Sequence, residues 1–153
     1  MKLQTYLAEI GRFLKPHRTI PKTPWTATSR WSVNLKNLPI LFFGLAIFGI
    51  GDALLIQSTI GNSPWSVFAQ GLSLRTPLSV GEATAITSIA VLLLWIPLKE
   101  RPGFGTLANI ALIAVFIQVG VDHIPKIDTN ILLQILYVLV GIGLVGMGSA
   151  LYI

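Results

Sequence analysis

The chain has 153 residues, of which 53% are hydrophobic and only 11% are charged. Soluble domains carry about 25% charged residues, so this composition excludes an ordinary soluble surface and favours a membrane protein. The chain contains no cysteine, which excludes disulfides and thiol chemistry. Its net charge of +5 could suggest a nucleic-acid partner, but the positions of the basic residues give a different explanation.

The first 37 residues form a basic region ahead of the apolar part of the chain. Residues 1–15 place apolar side chains on one helical face and charged or polar ones on the other. This pattern predicts an amphipathic helix that lies on a membrane surface, with packing on a partner or a disordered tail as alternatives. Residues 16–38 are rich in Pro, Thr and Ser and contain two tryptophans, which predicts a linker near the lipid headgroups.

Residues 38–153 form a predicted all-α transmembrane domain with four spans. The spans cover about 39–56, 80–98, 104–121 and 131–153, and a hydrocarbon core of about 30 Å needs roughly 20 helical residues. Span two opens with Ser-Val-Gly-Glu at 79–82, a capping-box pattern.

The segment between spans one and two is too polar and too broken to be a span. Within it, Ser63 is a predicted N-cap with Pro64 at the first helical position, and Gly71 is predicted to end this short helix at about Gln70. The segment either re-enters the membrane or lies on its outer surface, where Trp65 would anchor it. We slightly favour the surface location.

The basic residues predict how the chain is oriented. Nine of the 11 Lys and Arg residues lie before span one or in the turn at 99–101, whereas Arg75 and Lys126 lie on the other side. By the positive-inside rule, the N-terminus and the 99–101 turn are cytoplasmic. This asymmetry accounts for the net charge, so no nucleic-acid partner is expected.

A glycine-rich apolar segment occurs twice in the chain. FGLAIFGIGDALLI at 43–56 aligns with VGIGLVGMGSALYI at 140–153 when shifted by 97 positions. Spans one and four cross the membrane in opposite directions in the predicted topology. The two copies therefore predict an inverted repeat, an arrangement that places the site of many transporters between its halves.

Both copies carry small residues four positions apart, Gly49 with Ala53 and Gly146 with Ala150. Such small-xxx-small pairs let two helix backbones approach closely in lipid. Two interpretations stay open. Either spans one and four pack together about a pseudo-two-fold axis, or each span packs on some other neighbour.

Asp52 is the only acid well inside a predicted span, about four residues from its outer end. A carboxylate at such a depth marks contact with an ion, a proton or a substrate, and the alternative is an interfacial residue that reaches water. Its repeat counterpart is Ser149. The following loop offers backbone N–H groups at the start of a short helix, which favours anions. The candidate substrate or ion pathway is Asp52, Gly61, Asn62, Ser63 and Ser149.

No catalytic, metal or cofactor site is predicted. No Ser-His-Asp, HExxH, Walker or GxGxxG pattern is present, so we do not expect an enzyme. Asp122, His123 and Asp128 are close in sequence after span three, but their spacing matches no firm metal site and a solvated loop is preferred. The expected partners are the lipid bilayer and an unknown small solute or ion, with a homo-oligomer as an open alternative.

Three stretches of the sequence resemble a known family. FGIGDALLIQSTIGNSPWSVFAQGLS, LLLWIPLKERPGFGTLANI and GLVGMGSALYI are similar to the YczE/YyaS/YitT-type family of bacterial integral membrane proteins. The resemblance covers about 38–153, and the combination of G-x-S-P-W with W-I-P-L-x-x-R-P-G-x-G-T is fairly specific. It implies a permease-like helical protein of the bacterial cytoplasmic membrane, and it supplies no catalytic or binding residues.

The predicted function is that of a multi-pass, transporter-like protein with a site between inverted repeats. The alternative is a non-transporting membrane partner that supports another complex or a secretion process. Span four repeats span one only as far as the counterpart of Ile56. We therefore expect a six-span bundle, with two further spans of on the order of 60 residues beyond Ile153.

Overall fold

The computed structural model describes Ser29, Trp31 and residues 35–152. The predicted amphipathic helix at 1–15 and most of the predicted linker at 16–38 lie outside the described residues. Within 35–152 the chain forms five α-helices and no strand. They are α1 Leu38–Ser58, α2 Pro64–Ser73, α3 Val80–Leu94, α4 Phe104–His123 and α5 Ile131–Tyr152.

Three of these helices, α1, α4 and α5, are long and apolar enough to cross a membrane. The fourth predicted span, α3, is shorter than expected because it ends at Leu94 rather than at about residue 98. Pro97 explains the early end, since proline cannot continue a helix and disfavours helical conformation in the residue before it. At 1.5 Å per residue, the 15 residues of α3 cover only about 22 Å.

Two predicted helix starts are confirmed. The Ser63 hydroxyl caps α2 by accepting from the Ser66 N–H at 3.2 Å. At the start of α3, the Ser79 N–H donates to the Glu82 carboxylate at 2.8 Å, and the Glu82 N–H donates to the Ser79 hydroxyl at 3.2 Å. The predicted end of α2 at Gly71 is wrong, because the helix continues to Ser73. No glycine in residues 35–152 adopts a positive φ, so Gly71 stays in the right-handed helical conformation.

Helix α1 is the centre of the fold and packs against both α5 and α4. Helix α3 packs on α4, and α2 packs mainly against α3. The buried apolar cluster lies between α1 and α4 and consists of Leu45, Ile56, Ile113 and Ile117. Every other helix is therefore positioned, directly or through α4, relative to α1.

The contact between α1 and α5 runs through two pairs of glycines. A Cβ atom added to Gly148 would lie 2.6 Å from the carbonyl oxygen of Gly44, and one added to Gly51 would lie 2.9 Å from that of Gly141. The later residue of α1 faces the earlier residue of α5, so the two helices are antiparallel. These approaches are too close for any side chain.

The small-residue pairs of the sequence analysis make different contacts from those expected for an α1–α5 interface. Gly49 lies against Phe116, and Ala53 against Gly120, so this pair packs α1 on α4. A Cβ on Gly146 would meet nothing within 4 Å, and Ala150 is exposed. The α1–α5 contact is formed instead by glycines seven positions apart in each helix, Gly44 and Gly51 in α1 and Gly141 and Gly148 in α5.

Polar side chains join the end of α1 to the α4–α5 connection. Gln57 Nε2 donates to the carbonyl oxygens of Val121 and Ile124 at 2.8 and 2.6 Å. Thr59 adopts the left-handed conformation with φ 62°, which is costly for a β-branched residue. Its hydroxyl donates to the Ile127 carbonyl at 2.7 Å. These bonds fix the point at which the chain leaves α1 and turns towards α2.

Candidate functional site

The site is built around Asp52, which is only 5% exposed in the interior of α1. Its Oδ2 atom accepts a hydrogen bond of 2.6 Å from the hydroxyl of Ser66, which is 1% exposed in α2. The Ser66 and Ser63 hydroxyls lie 2.9 Å apart. A buried carboxyl group is thus joined to the N-terminal turn of α2 by a short chain of hydroxyls.

Because of this contact, the first turn of α2 lies beside α1 nearly two turns before α1 ends. Asp52 lies six residues before Ser58, the last residue of α1, which corresponds to about 9 Å along the helix axis. Ser66 must reach the same level to contact Asp52. The N-terminal turn of α2 therefore packs against α1, while Trp65 and Phe68 stay exposed at 43% and 62%. Whether the segment re-enters the membrane or lies on its outer surface stays a prediction.

A cavity of about 200 Å³ opens beside Asp52. Polar side chains from three helices and the loop before α2 line it, together with three aromatic side chains and isoleucines of α4. The polar and aromatic lining residues are Asp52, Ser63, Thr84, Ser88, Asn109, Phe48, Trp65 and Tyr152. Phe48 is the central residue of α1, so the cavity lies near the middle of the bundle.

A second cavity of about 180 Å³ adjoins the first. Both are lined by Trp65, Ser88 and Asn109, and the second continues to Trp95 and Thr106. Trp95 follows the last residue of α3, and Thr106 lies in the first turn of α4. The two cavities together lead from Asp52 towards the end of the bundle that carries the 99–101 turn.

A larger pocket of about 510 Å³ lies at the opposite end of the bundle. Its polar lining comes from Gln57, Thr59, Asn62, Gln70 and Lys126. Asn62 Nδ2 donates to Gln70 Oε1 at 2.9 Å, whereas Asn62 Oδ1 is buried and has no hydrogen-bond partner among the described residues. An unpaired buried carbonyl oxygen of this kind calls for a donor, such as water or a solute.

The structure divides the predicted site residues among three places. Asp52 and Ser63 line the central cavity, whereas Gly61 and Asn62 line the outer pocket. Ser149 lines neither, and its hydroxyl donates to the Val145 carbonyl of its own helix at 2.8 Å. The predicted pathway is thus not one continuous cluster, since the chain at Asn62 and Ser63 separates two cavities.

The sequence analysis missed the polar side chains that α3 and α4 contribute. Thr84 and Ser88 are four residues apart in an apolar helix and so share one face. Asn109 lies in the second turn of α4. Polar residues inside membrane spans are uncommon and mark functional positions by default, so this rule could have selected all three. Only the fold shows that they face Asp52.

The three residues considered for a metal make contacts of other kinds or lie apart. Asp122 accepts from Gln118 Nε2 at 2.7 Å, and His123 Nδ1 lies 2.8 Å from the Val119 carbonyl oxygen. The described part of the chain contains no group of three side chains placed to hold a metal ion. These contacts satisfy polar groups at the end of α4.

The surface of the helices indicates the class of the protein. Large apolar side chains face outwards on all five helices, including Phe43 at 62% exposure, Leu94 at 62% and Leu132 at 75%. A soluble monomer rarely exposes so continuous an apolar surface, whereas lipid covers it. Together with the three long apolar helices, this surface defines a helical membrane protein.

Residues 35–153 match the model of a family of unknown function, DUF6198, and the chain belongs to that family. It is 42% identical over 139 residues to an uncharacterized protein of Haemophilus influenzae, covering 91% of this chain and 63% of that protein. It is 29% identical over 118 residues to the uncharacterized protein YyaS of Bacillus subtilis, covering 72% of this chain and 56% of that protein.

The relationship to YyaS confirms the resemblance to a YyaS-type family. The chain spans about three fifths of the length of these curated relatives. No solved structure matches it.

Proposed function

We propose that the chain forms part of a membrane transporter that moves a small solute or ion through the cavity at Asp52. The observation that carries this proposal is the burial of a carboxyl group beside a cavity of about 200 Å³ lined by residues of all five helices. Acidic side chains in this position are costly in a membrane and are retained where an ion or substrate contacts them. Transport, rather than catalysis, is the activity that such a site supports.

The glycine contacts between α1 and α5 support an inverted-repeat architecture. The shift of 97 positions carries Gly44 onto Gly141 and Gly51 onto Gly148. Exchanging the two copies of the repeat replaces Gly44 by Gly141 and Gly148 by Gly51. The Gly44–Gly148 contact is thereby converted into the Gly141–Gly51 contact, and the structure contains both. A pseudo-two-fold axis between α1 and α5 has this effect, and inverted-repeat transporters place their sites beside such an axis.

The position of α2 supports an arrangement in which access to Asp52 is controlled. The outer pocket and the central cavity are lined by consecutive residues, Asn62 and Ser63. The start of α2 thus stands between the two. Movement of α2 away from Asp52 would join the outer pocket to the cavity, while the adjoining cavity leads towards Trp95.

We further propose a bacterial cytoplasmic membrane as the location, with the N-terminus and the 99–101 turn in the cytoplasm. The excess of basic residues on that side supports this orientation. The outer pocket would then face the outside of the cell. The proposed partners are lipid and the transported solute, with self-association into a homo-oligomer as a separate question that native mass spectrometry would answer.

Uptake by proteoliposomes tests the proposed function. A panel of radiolabelled amines, amino acids, sugars, carboxylates and inorganic ions would be offered to wild-type protein and to Asp52→Asn at equal reconstituted amounts. Asparagine has nearly the same shape and still accepts the Ser66 hydrogen bond, so only the charge is lost. We expect at least one solute whose uptake falls by tenfold or more in Asp52→Asn.

The matched control for this experiment is Asp122→Asn, which removes an exposed carboxyl group at the end of α4 and should leave uptake unchanged. Equal uptake of every solute by wild type and Asp52→Asn would contradict transport through this cavity. The alternative function, a non-transporting partner of another membrane complex, would then be preferred. In that case Asp52 serves only to hold α2 against α1.

A further inference from the structure

We infer that the cavity at Asp52 binds a small organic cation, an amine or a quaternary ammonium group. This inference rests on the proposed function and specifies the class of solute for the same site. Three features of the cavity point to it: the sign of its charge, its aromatic walls and its size.

The cavity carries one acidic group and no basic one. Asp52 is the only charged residue in its lining, and no Lys or Arg lines the adjoining cavity in the described chain. The remaining polar groups are the hydroxyls of Ser63, Thr84 and Ser88 and the amide of Asn109. A buried carboxylate favours a cationic ligand, because an ion without a partner is costly in a medium of low polarity.

The N-terminus of α2 does not reverse this preference. Pro64 has no N–H group, and the N–H groups of Ser66 and Val67 donate to the Ser63 hydroxyl and carbonyl at 3.2 and 2.9 Å. Few free donors are left for an anion. A helix terminus is equivalent to roughly half a positive charge, which is less than the full negative charge of a carboxylate.

The aromatic residues around Asp52 favour an organic cation over a metal ion. Phe48, Trp65 and Tyr152 line the cavity, and the Phe48 and Tyr152 rings meet edge to face with centroids 6.4 Å apart. The faces of aromatic rings attract ammonium groups, and quaternary ammonium ligands are bound in this way. A divalent metal ion is usually held by several carboxylate or other charged ligands, whereas Asp52 is the only acidic residue in this lining and the described residues include no group of three metal-binding side chains.

The size of the cavity limits the ligand to a small one. A volume of about 200 Å³ corresponds to about six or seven waters at roughly 30 Å³ each. Choline and tetramethylammonium are small enough for this space, whereas a nucleoside would fill or exceed it. The adjoining cavity of about 180 Å³, which Ser88 and Asn109 also line, is large enough to hold such a cation next.

Thermal unfolding of the purified protein tests the inference. Choline and tetramethylammonium would each be added to detergent-solubilised protein, alongside 3,3-dimethylbutan-1-ol, which has the shape of choline with carbon in place of the charged nitrogen. A ligand that binds only the folded state raises the melting temperature. We expect a rise of several degrees with the two cations, and no rise with the alcohol or with sodium chloride at equal ionic strength.

Two variants separate binding at this site from a general effect of salt. Asp52→Asn should require at least tenfold more choline for half of the shift. Trp65→Leu should also weaken the effect of choline, whereas Trp65→Phe, which keeps an aromatic face, should largely retain it.

Equal stabilisation by the alcohol, equal stabilisation of Asp52→Asn, or no stabilisation by either cation would overturn the inference. The proposed function would survive each of these results if a neutral, anionic or inorganic solute shows Asp52-dependent uptake in proteoliposomes. If no solute in that panel shows Asp52-dependent uptake, the proposed function fails as well.

Discussion

We expect Gly148→Ala to lower the thermal stability of the protein markedly. The added methyl group would lie 2.6 Å from the Gly44 carbonyl oxygen and 2.8 Å from the Phe48 backbone nitrogen, so neither neighbour can move aside as a flexible side chain would. Overpacking of this kind costs about 1–3 kcal/mol. The midpoint of thermal unfolding in detergent, followed by fluorescence, should fall by roughly 2–4 °C for each kcal/mol.

Gly146→Ala is the matched control, because it makes the same change two residues earlier in the same helix. A Cβ there meets nothing within 4 Å, and alanine is the better helix former by about 1 kcal/mol. The stability should stay the same or rise slightly. Gly51→Ala, at the repeat counterpart of Gly148, should behave like Gly148→Ala because its Cβ would lie 2.9 Å from the Gly141 carbonyl oxygen. Identical melting of all three variants would contradict the glycine-mediated α1–α5 contact.

The second large effect is expected from Ser66→Ala, which removes the hydroxyl that donates to Asp52. The carboxyl group keeps its buried position but loses this hydrogen bond of 2.6 Å. A hydrogen bond contributes about 0.5–1.5 kcal/mol, or about 1.5–3 kcal/mol when one partner is charged, and this bond ties α2 to α1. We expect a lower midpoint of unfolding and faster proteolytic cleavage of the loop at Gly61.

Ser73→Ala is the control for this change, since the Ser73 hydroxyl donates only to the Gln70 carbonyl of the same helix, at 2.9 Å. Its removal should alter neither stability nor cleavage. The double variant Asp52→Ala with Ser66→Ala shows whether the two residues act together, because each single change removes the hydrogen bond between them. If the effects of the two single changes simply add, the Asp52–Ser66 contact does not hold α2 in place.

The helices themselves were largely predictable from the sequence, because apolar runs and capping residues are local properties. Ser63, Ser79 and Glu82 define the starts of α2 and α3 through bonds within three residues of each other. The early end of α3 is also local, and greater weight on Pro97 would have predicted it. The continuation of α2 through Gly71 was not predictable in this way, since glycine permits a helix end without requiring one.

The residues that form the site were only partly predictable, because the site depends on which helix faces which. Asp52 was identifiable as an acid in an apolar run. Its partner Ser66 was not, because it lies 14 residues away in another helix and the two side chains meet only when α2 packs against α1. Of the two small-residue pairs, Gly49 and Ala53 pack on α4, as the second of the two interpretations allows, whereas Gly146 contacts nothing within 4 Å. Spacing shows that glycines occur in both copies of the repeat but does not show which of them meet.

The proposed function requires that the cavity beside Asp52 admits water inside the membrane-spanning bundle. Because the chain has no cysteine, single-cysteine variants report on one position each. A small, charged, membrane-impermeant thiol reagent would be applied to Asn109→Cys, which lines both central cavities, and to Val115→Cys. Val115 lies in the same helix and is 56% exposed on the outside of the bundle.

Outside intact cells, Asp128→Cys should react and Lys99→Cys should not, which calibrates the assay and tests the proposed orientation. In membranes open to the reagent on both sides, we predict labelling of Asn109→Cys and protection of Val115→Cys by lipid. Prior addition of choline should slow the labelling of Asn109→Cys if the cation occupies the cavity. An unreactive Asn109→Cys beside a reactive Val115→Cys would contradict the account, because the outer face of α4 would then be wet and the cavity at Asp52 dry.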